Sequence, residues 1–215
     1  MSSQHHKDTC PRFHLAALTG SVLALLSGGT ALADSPAMTS CPTQFFLTGN
    51  LAPNSNFETP APGIPVGQTT CWAQGLPTPP PSAANGWTMH TSNDQDRVCS
   101  QLLPSTAPEP NGNLMLKFVA GGNEGGIFQN VTGNINSTYM FSVWVYVLSG
   151  QVAVQSSGGV GGPNAWSTKI GQWEQLRVCN NLLHTADSLV IYNQDPNGGA
   201  FYVDRVEFRE IPNVD

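Results

Sequence analysis

Aromatic and amide side chains are the residues of this sequence best suited to bind a ligand. The chain contains five tryptophans, Trp72, Trp87, Trp144, Trp166 and Trp173, and it is rich in Asn and Gln. The apolar C–H face of a pyranose ring packs on such rings, and sugar hydroxyls need amide or carboxylate partners. The composition therefore favours a neutral, polar ligand of the sugar type.

One segment separates a core face from a candidate ligand face. Residues 139–148 are aromatic and β-branched, which predicts a strand. Successive strand side chains point to opposite faces, so Trp144 and Tyr146 share the face opposite to Phe141 and its apolar neighbours. Two interpretations stay open for this pair: a sugar platform, or packing in a strand that is buried on both faces.

Further ligand candidates lie elsewhere in the chain. Trp72 and Trp166 fall in predicted loops, where large aromatic side chains point to binding, although Trp72 could instead cover Cys71. We expect Trp87 and Trp173 to pack in the core. The strand residues suited to bind sugar hydroxyls, or equally to stay solvated, are Gln129, Gln155 and Asn193.

The sequence lacks the motifs of several catalytic classes. It has no G-x-S-x-G nucleophile turn and no H-E-x-x-H zinc motif. A glycosidase needs two carboxylates that face each other across the bond. Glu58, Glu124 and Glu174 are available, but no spacing pairs them. We predict a protein without enzymatic activity, with a glycan-cleaving hydrolase or lyase as the alternative.

Residues 1–33 have the pattern of a secretory signal peptide. A polar stretch with Lys7 and Arg12 precedes the apolar residues 15–26 and a small-residue site that ends at Ala33. The apolar stretch is shorter than the ~20 residues of a membrane-spanning helix. We expect cleavage after Ala33, secretion to the extracellular space or the periplasm, and no membrane insertion afterwards.

Cleavage would leave an acidic chain with few charges. It would remove two of the eight Lys and Arg and one of the fourteen Asp and Glu, so that the net charge becomes −7. Nucleic acids and anionic membranes are bound by basic patches. The composition therefore argues against both partners.

Four cysteines follow the signal segment, and an even number in an exported chain predicts two disulfides. Three pairings are open. We favour Cys71–Cys99, which would close a loop-rich segment, together with Cys41–Cys179.

The remaining pattern predicts an all-β domain. Residues 59–85 and 104–112 are rich in proline and predict long loops. Short strand-like segments with Gly/Pro turns follow, and none shows a helical period. We divide the chain into the signal peptide at 1–33, an N-terminal leader at 34–49 and one β-sandwich or barrel domain at 50–215.

Five segments in order resemble galactose-binding-like carbohydrate-binding modules. They are residues 50–58 (NLAPNSNFE), 85–87 (NGW), 139–145 (YMFSVWV), 171–176 (GQWEQL) and 201–206 (FYVDRV). The resemblance implies a jelly-roll sandwich of two antiparallel sheets that binds a polysaccharide or glycan. The proline-rich insert and the cysteines depart from the family pattern.

The same resemblance implies a structural calcium ion with Glu58 and Asp204 as carboxylate ligands, and calcium prefers such oxygen ligands. Arg205 stands where the family motif has a second acid. Asp94 and Asp96 are a weaker suggestion for calcium. We expect a monomer that binds carbohydrate. A cell-surface structural or protein-contact domain is a further alternative, because a fold alone does not fix a function.

Overall fold

The computed structural model describes residues 41, 46–73, 81–91, 97–107, 112–156 and 164–212. The predicted signal peptide at 1–33 and residues Asp94 and Asp96 lie outside this part of the chain. Within it, the regular elements are eleven strands and no helix, and no helix there could span a bilayer. The strands are β1 Thr69–Ala73, β2 Thr88–His90, β3 Arg97–Pro104, β4 Leu114–Ala120, β5 Gly126–Thr132, β6 Thr138–Ser149, β7 Val152–Ser156, β8 Asn164–Trp166, β9 Trp173–Asn181, β10 Ala186–Asn193 and β11 Gly199–Ile211.

The strands form two sheets, and every pairing is antiparallel. One sheet has six strands in the order β1-β3-β4-β11-β6-β9, and the other has five in the order β2-β5-β10-β7-β8. The predicted all-β, two-sheet antiparallel sandwich is confirmed.

The core lies between the inner faces of the two sheets. Strand β6 shows how the sequence builds it, because Phe141, Val143 and Val145 are fully buried while Trp144 and Tyr146 on the other side of the strand are half-buried. Burial of such side chains stabilises the fold by about 1.5–3 kcal/mol each. The largest fully buried side chains include Trp87, Phe57, Tyr139, Phe118, Phe141, Phe201 and Phe208.

Both predicted disulfides are present. Cys71 and Cys99 are directly opposite residues of the neighbouring strands β1 and β3, so their disulfide ties the edge strand to its sheet. Cys41 is bonded to Cys179 of β9. This second disulfide holds the start of the described chain near the strand pair β6 and β9, where Met140 and Cys179 are buried in a small cluster.

The structure differs from the predicted local structure at four points. Strand β1 lies inside the segment predicted as one long loop at 59–85, and strand β3 was not predicted. Trp166 lies in the short edge strand β8 rather than in a loop, and Trp72 lies in β1. Strand β1 was not predicted because it lies among prolines. Its pairing with β3 is a long-range contact, which the periodicity of a sequence does not predict.

Candidate functional site

The outer face of the five-stranded sheet carries a row of side chains that crosses all five strands. Register places His90 opposite Gly126, Gly126 opposite Tyr192, Tyr192 opposite Ala153, and Ala153 opposite Trp166. We call these five residues the first row. Because neighbouring strands lie about 4.8 Å apart, the first row is roughly 19 Å long. Three ring-bearing side chains alternate in it with two very small residues.

The small residues of the first row set the position of the rings. A Cβ atom on Gly126 would lie 2.6 Å from the Cβ atom of Tyr192, closer than real side chains approach. Position 126 therefore requires glycine as long as Tyr192 lies opposite it on β10. At the sheet edge, the Trp166 side chain is 50% exposed, so a ring face is open to a ligand.

A parallel line of side chains adds polar groups beside the first row. It runs through Thr88, Phe128, Val190, Gln155 and Asn164 in matching register. Its amide and hydroxyl groups can donate to and accept from sugar hydroxyls.

The face of the five-stranded sheet is almost free of charge. Its five strands contain no Lys or Arg, and their one acid, Asp187, is buried. Burial lowers the pKa of His90, against a weaker raising influence of Glu124. Burial and Glu124 both raise the pKa of Tyr192. At neutral pH the face thus presents a neutral imidazole and phenol, with one carboxylate near them.

The structure separates the predicted ligand residues onto two faces. Trp166 and Gln155 lie on the outer face of the five-stranded sheet. Trp144 and Tyr146 lie on the outer face of the six-stranded sheet, on the far side of the molecule. The two pairs therefore cannot contact the same sugar ring.

Three other predicted ligand residues have inner or buried positions. Trp72 is 7% exposed and packs in the core. The Gln129 side chain donates to two backbone carbonyls at 2.9 and 3.1 Å. The buried Asn193 side chain likewise donates to two carbonyls, at 2.8 and 2.6 Å. These side chains position loops, and a ligand on either outer face would not reach them.

Tyr146 belongs to an aromatic group on the six-stranded sheet. Its ring centroid lies 5.6 Å from that of Trp173 and 5.8 Å from that of Tyr202. Trp173, expected in the core, is half-buried on this outer face. Trp87 is buried as expected and packs on Phe57 at 5.4 Å between centroids.

The proposed metal ligands Glu58 and Asp204 are electrostatically coupled. Glu58 Oε1 accepts hydrogen bonds from two backbone N–H groups at the start of β4, at 2.6 and 2.7 Å. Asp204 is fully buried, and it accepts from the Ser105 hydroxyl and from the backbone N–H of Arg205 at 2.7 Å. Burial raises the pKa of Asp204 and outweighs these donors, and the Glu58 carboxylate raises it further.

This pair supplies hard oxygen atoms of the kind calcium prefers. Among the described residues, however, no group of three or more His, Cys, Asp or Glu side chains comes together. Any further ligands would have to be hydroxyl or carbonyl oxygens, such as that of Ser105.

Sequence reasoning did not single out His90, Phe128 or Tyr192 as ligand residues. A signal was present in β10, because Leu189 and Ile191 have core character and alternation then places Tyr192 outside. What the sequence did not contain was the register that aligns Tyr192 with residues of four other strands.

The chain matches no protein-family model and no curated protein. Its backbone is similar to several solved carbohydrate-binding modules. One is TmCBM61 in complex with β-1,4-galactotriose, at 13% identity and a TM-score of 0.47, covering 76% of this chain and 100% of that one.

A second is the CBM22-1 xylan-binding domain from Paenibacillus barcinonensis Xyn10C, at 13% identity and a TM-score of 0.45, covering 69% and 98%. A third is the family 11 module from Clostridium thermocellum in complex with a β-1,3-1,4-mixed-linked tetrasaccharide, at 12% identity and a TM-score of 0.43, covering 70% and 99%.

Proposed function

We propose that this chain is a secreted, non-catalytic protein that binds a neutral polysaccharide or glycan on the outer face of its five-stranded sheet. The observation that supports this most is the first row, in which His90, Tyr192 and Trp166 alternate with Gly126 and Ala153 across the sheet. Rings separated by two strand spacings can each receive a separate sugar ring along one extended chain.

The polymer would run across the strands, along the first row. Its C–H faces would pack on the rings, beginning with the exposed Trp166, and its hydroxyls would bond to amides such as Gln155 and Asn164. The absence of Lys and Arg from these five strands favours uncharged sugars over uronic or sulfated ones.

Affinity electrophoresis and calorimetry with neutral polysaccharides test this proposal. Trp166→Ala and Tyr192→Ala should each weaken binding by about tenfold, since each removes a stacking surface. Phe46→Ala is the matched control, because it removes a 39% exposed aromatic ring that lies beside Arg209, away from the row. Unchanged affinity in both test variants, with the fold intact, would exclude the first row as the site.

The same samples separate binding from cleavage. A reducing-end assay on the bound polymer should show no increase over many hours. Steady release of reducing ends would instead establish the glycan-cleaving alternative.

We also propose that Glu58 and Asp204 hold a structural calcium ion. The support is their chemistry, since two coupled carboxylates, one of them fully buried, repel each other without a cation. Bound calcium would offset that repulsion and fix the loop around Glu58 to β11.

The expected result for calcium is a higher melting temperature with calcium than with chelator, and loss of that difference in Glu58→Gln. A Glu210→Gln variant, which removes an acid elsewhere on β11, should keep the difference. Equal melting temperatures of the unmutated protein with calcium and chelator would refute the metal site.

A further inference from the structure

A second row of aromatic side chains lies on the outer face of the six-stranded sheet. Register aligns Trp173 with Tyr146, Tyr146 with Tyr202, Tyr202 with Lys117, and Lys117 with Gln101. We call these residues the opposite row. Three neighbouring strands thus bring three rings together, with centroids 5.6 and 5.8 Å apart.

The opposite row differs from the first row in its charge. Lys117 stands next to Tyr202, and it forms no ion pair among the residues that the structure describes. Arg177 lies further along β9 on the same face, and Arg97 lies in β3. In the described part of the chain, every Lys and Arg that belongs to a strand is in this sheet.

Two acids on the strands of the opposite row, Glu174 and Asp204, are bonded to other groups. Glu174 points to the other side of β9 from Trp173, and its carboxylate accepts from the backbone N–H and hydroxyl of Thr168 at 2.8 and 2.7 Å. Asp204 is buried and bonded to Ser105. The opposite row is therefore aromatic, and its one charged residue is a cation, Lys117, although the whole chain is acidic.

We propose that the opposite row is a second binding site and that it takes an acidic glycan, one that carries carboxylate or sulfate groups. The rings of Trp173, Tyr146 and Tyr202 would pack on sugar rings, and Lys117 would bind an anionic group next to them. The proposal is independent of the first row, because the two rows lie on different sheets.

A second copy of this chain fits the surface less well than an anion. In a two-fold symmetric contact the same patch faces itself. The aromatic rings would then bring two copies of the unpaired Lys117 close together, and like charges repel. An acidic glycan can pack its sugar rings on the aromatic side chains and place an anionic group beside Lys117.

Polygalacturonate and its methyl-esterified form are suitable probes, since they share ring and linkage and differ in charge. The protein should bind polygalacturonate at least about tenfold more tightly than the ester, with an affinity that falls as salt rises. Lys117→Glu and Trp173→Ala should each reduce this binding by about tenfold. Arg177→Glu makes the same charge change on β9, four residues from Trp173, and should cost less than about twofold.

Three outcomes would overturn the proposal. They are no binding of polygalacturonate by the folded protein, equal binding by Lys117→Glu, and a dimer in sedimentation that Trp173→Ala dissociates. Tyr192→Ala separates the two sites, because it should weaken neutral-glycan binding and leave polygalacturonate binding unchanged.

Discussion

At the scale of single residues, the best-defined feature is the pairing of Gly126 with Tyr192. Gly126→Ala should lower the free energy of unfolding by about 1–3 kcal/mol, because the new Cβ atom would lie 2.6 Å from the Cβ atom of Tyr192 and force it to move. Urea unfolding measures the first effect. The displaced Tyr192 ring should also weaken neutral-glycan binding, which calorimetry measures.

Gly49→Ala is the control for this variant, since a Cβ atom there has no neighbour within 4 Å. It should leave both stability and binding nearly unchanged. If Gly126→Ala bound neutral glycan as well as the unmutated protein, the position of Tyr192 would not matter for binding.

Asp204 gives the second residue-scale prediction, on pH. Its pKa in the folded protein is raised above its ordinary value of 3.8, first by burial and further by Glu58. Between these two pKa values the unfolded chain has lost the proton while the folded protein still holds it. The contribution of Asp204 to stability therefore falls as pH rises from below 3.8 through the folded pKa, and then stays constant.

Asp204→Asn removes this titration, so in chelator its stability relative to the unmutated protein should rise across the same pH window. Urea unfolding between about pH 3 and pH 7 checks this, and the carboxyl groups that do not interact with Asp204 cancel in the difference. A difference that does not change with pH would contradict the raised pKa of Asp204.

At the scale of elements, the disulfide Cys71–Cys99 decides whether the edge strand β1 stays in place. It closes a segment of 28 residues, which corresponds to about 3–4 kcal/mol of stabilisation in the chain-entropy model. Cys71→Ala/Cys99→Ala should lose that amount in urea unfolding and expose Trp72 of β1 to fluorescence quenchers.

Cys41–Cys179 provides the comparison, because it closes a segment of 138 residues and the same model assigns it about 5 kcal/mol. The double alanine variant of this pair should therefore be the less stable of the two. If the Cys71/Cys99 variant were instead the less stable one, then the native contacts of β1, and not chain entropy, would determine how much each disulfide stabilises the protein.

The strands differ in how well the sequence predicts them. Strand β6 was predictable, since ten residues alternate between core and outer side chains and aromatic and β-branched types dominate. Strand β1 was not, because it lies between proline-rich segments. The disulfides were one choice among three, and the order of motifs from a known family guided the fold.

The candidate sites were predictable only in part, for a physical reason. The side-chain types of Trp166, Gln155 and Tyr146 predict ligand residues. Side-chain type does not, however, predict the sheet to which a strand belongs. Gln129 and Asn193 have the right chemistry for sugars and are used inside the protein instead, where buried amides must be paired. Register across strands decided which residues share a face.

At the scale of the whole molecule, the sandwich presents two aromatic rows with different charge on its opposite sides. The strands of the first row contain no Lys or Arg, and every Lys and Arg of the described strands belongs to the sheet of the opposite row. Because the core separates the sheets, occupation of one row does not block the other. One chain is therefore expected to bridge a neutral and an acidic glycan.

Such bridging would need only one copy of the chain, because each copy carries both rows. A neutral polysaccharide that binds the first row, mixed with polygalacturonate and the protein, should form particles that scatter light. Scattering should be strongest at intermediate protein concentration, because excess protein fills each polymer separately. Either polymer alone should scatter far less. Trp166→Ala and Trp173→Ala should each strongly reduce the scattering at the same protein concentration by weakening one row, whereas Phe46→Ala should preserve it. Scattering that survives in both tryptophan variants would show that aggregation, not two-sided binding, joins the polymers.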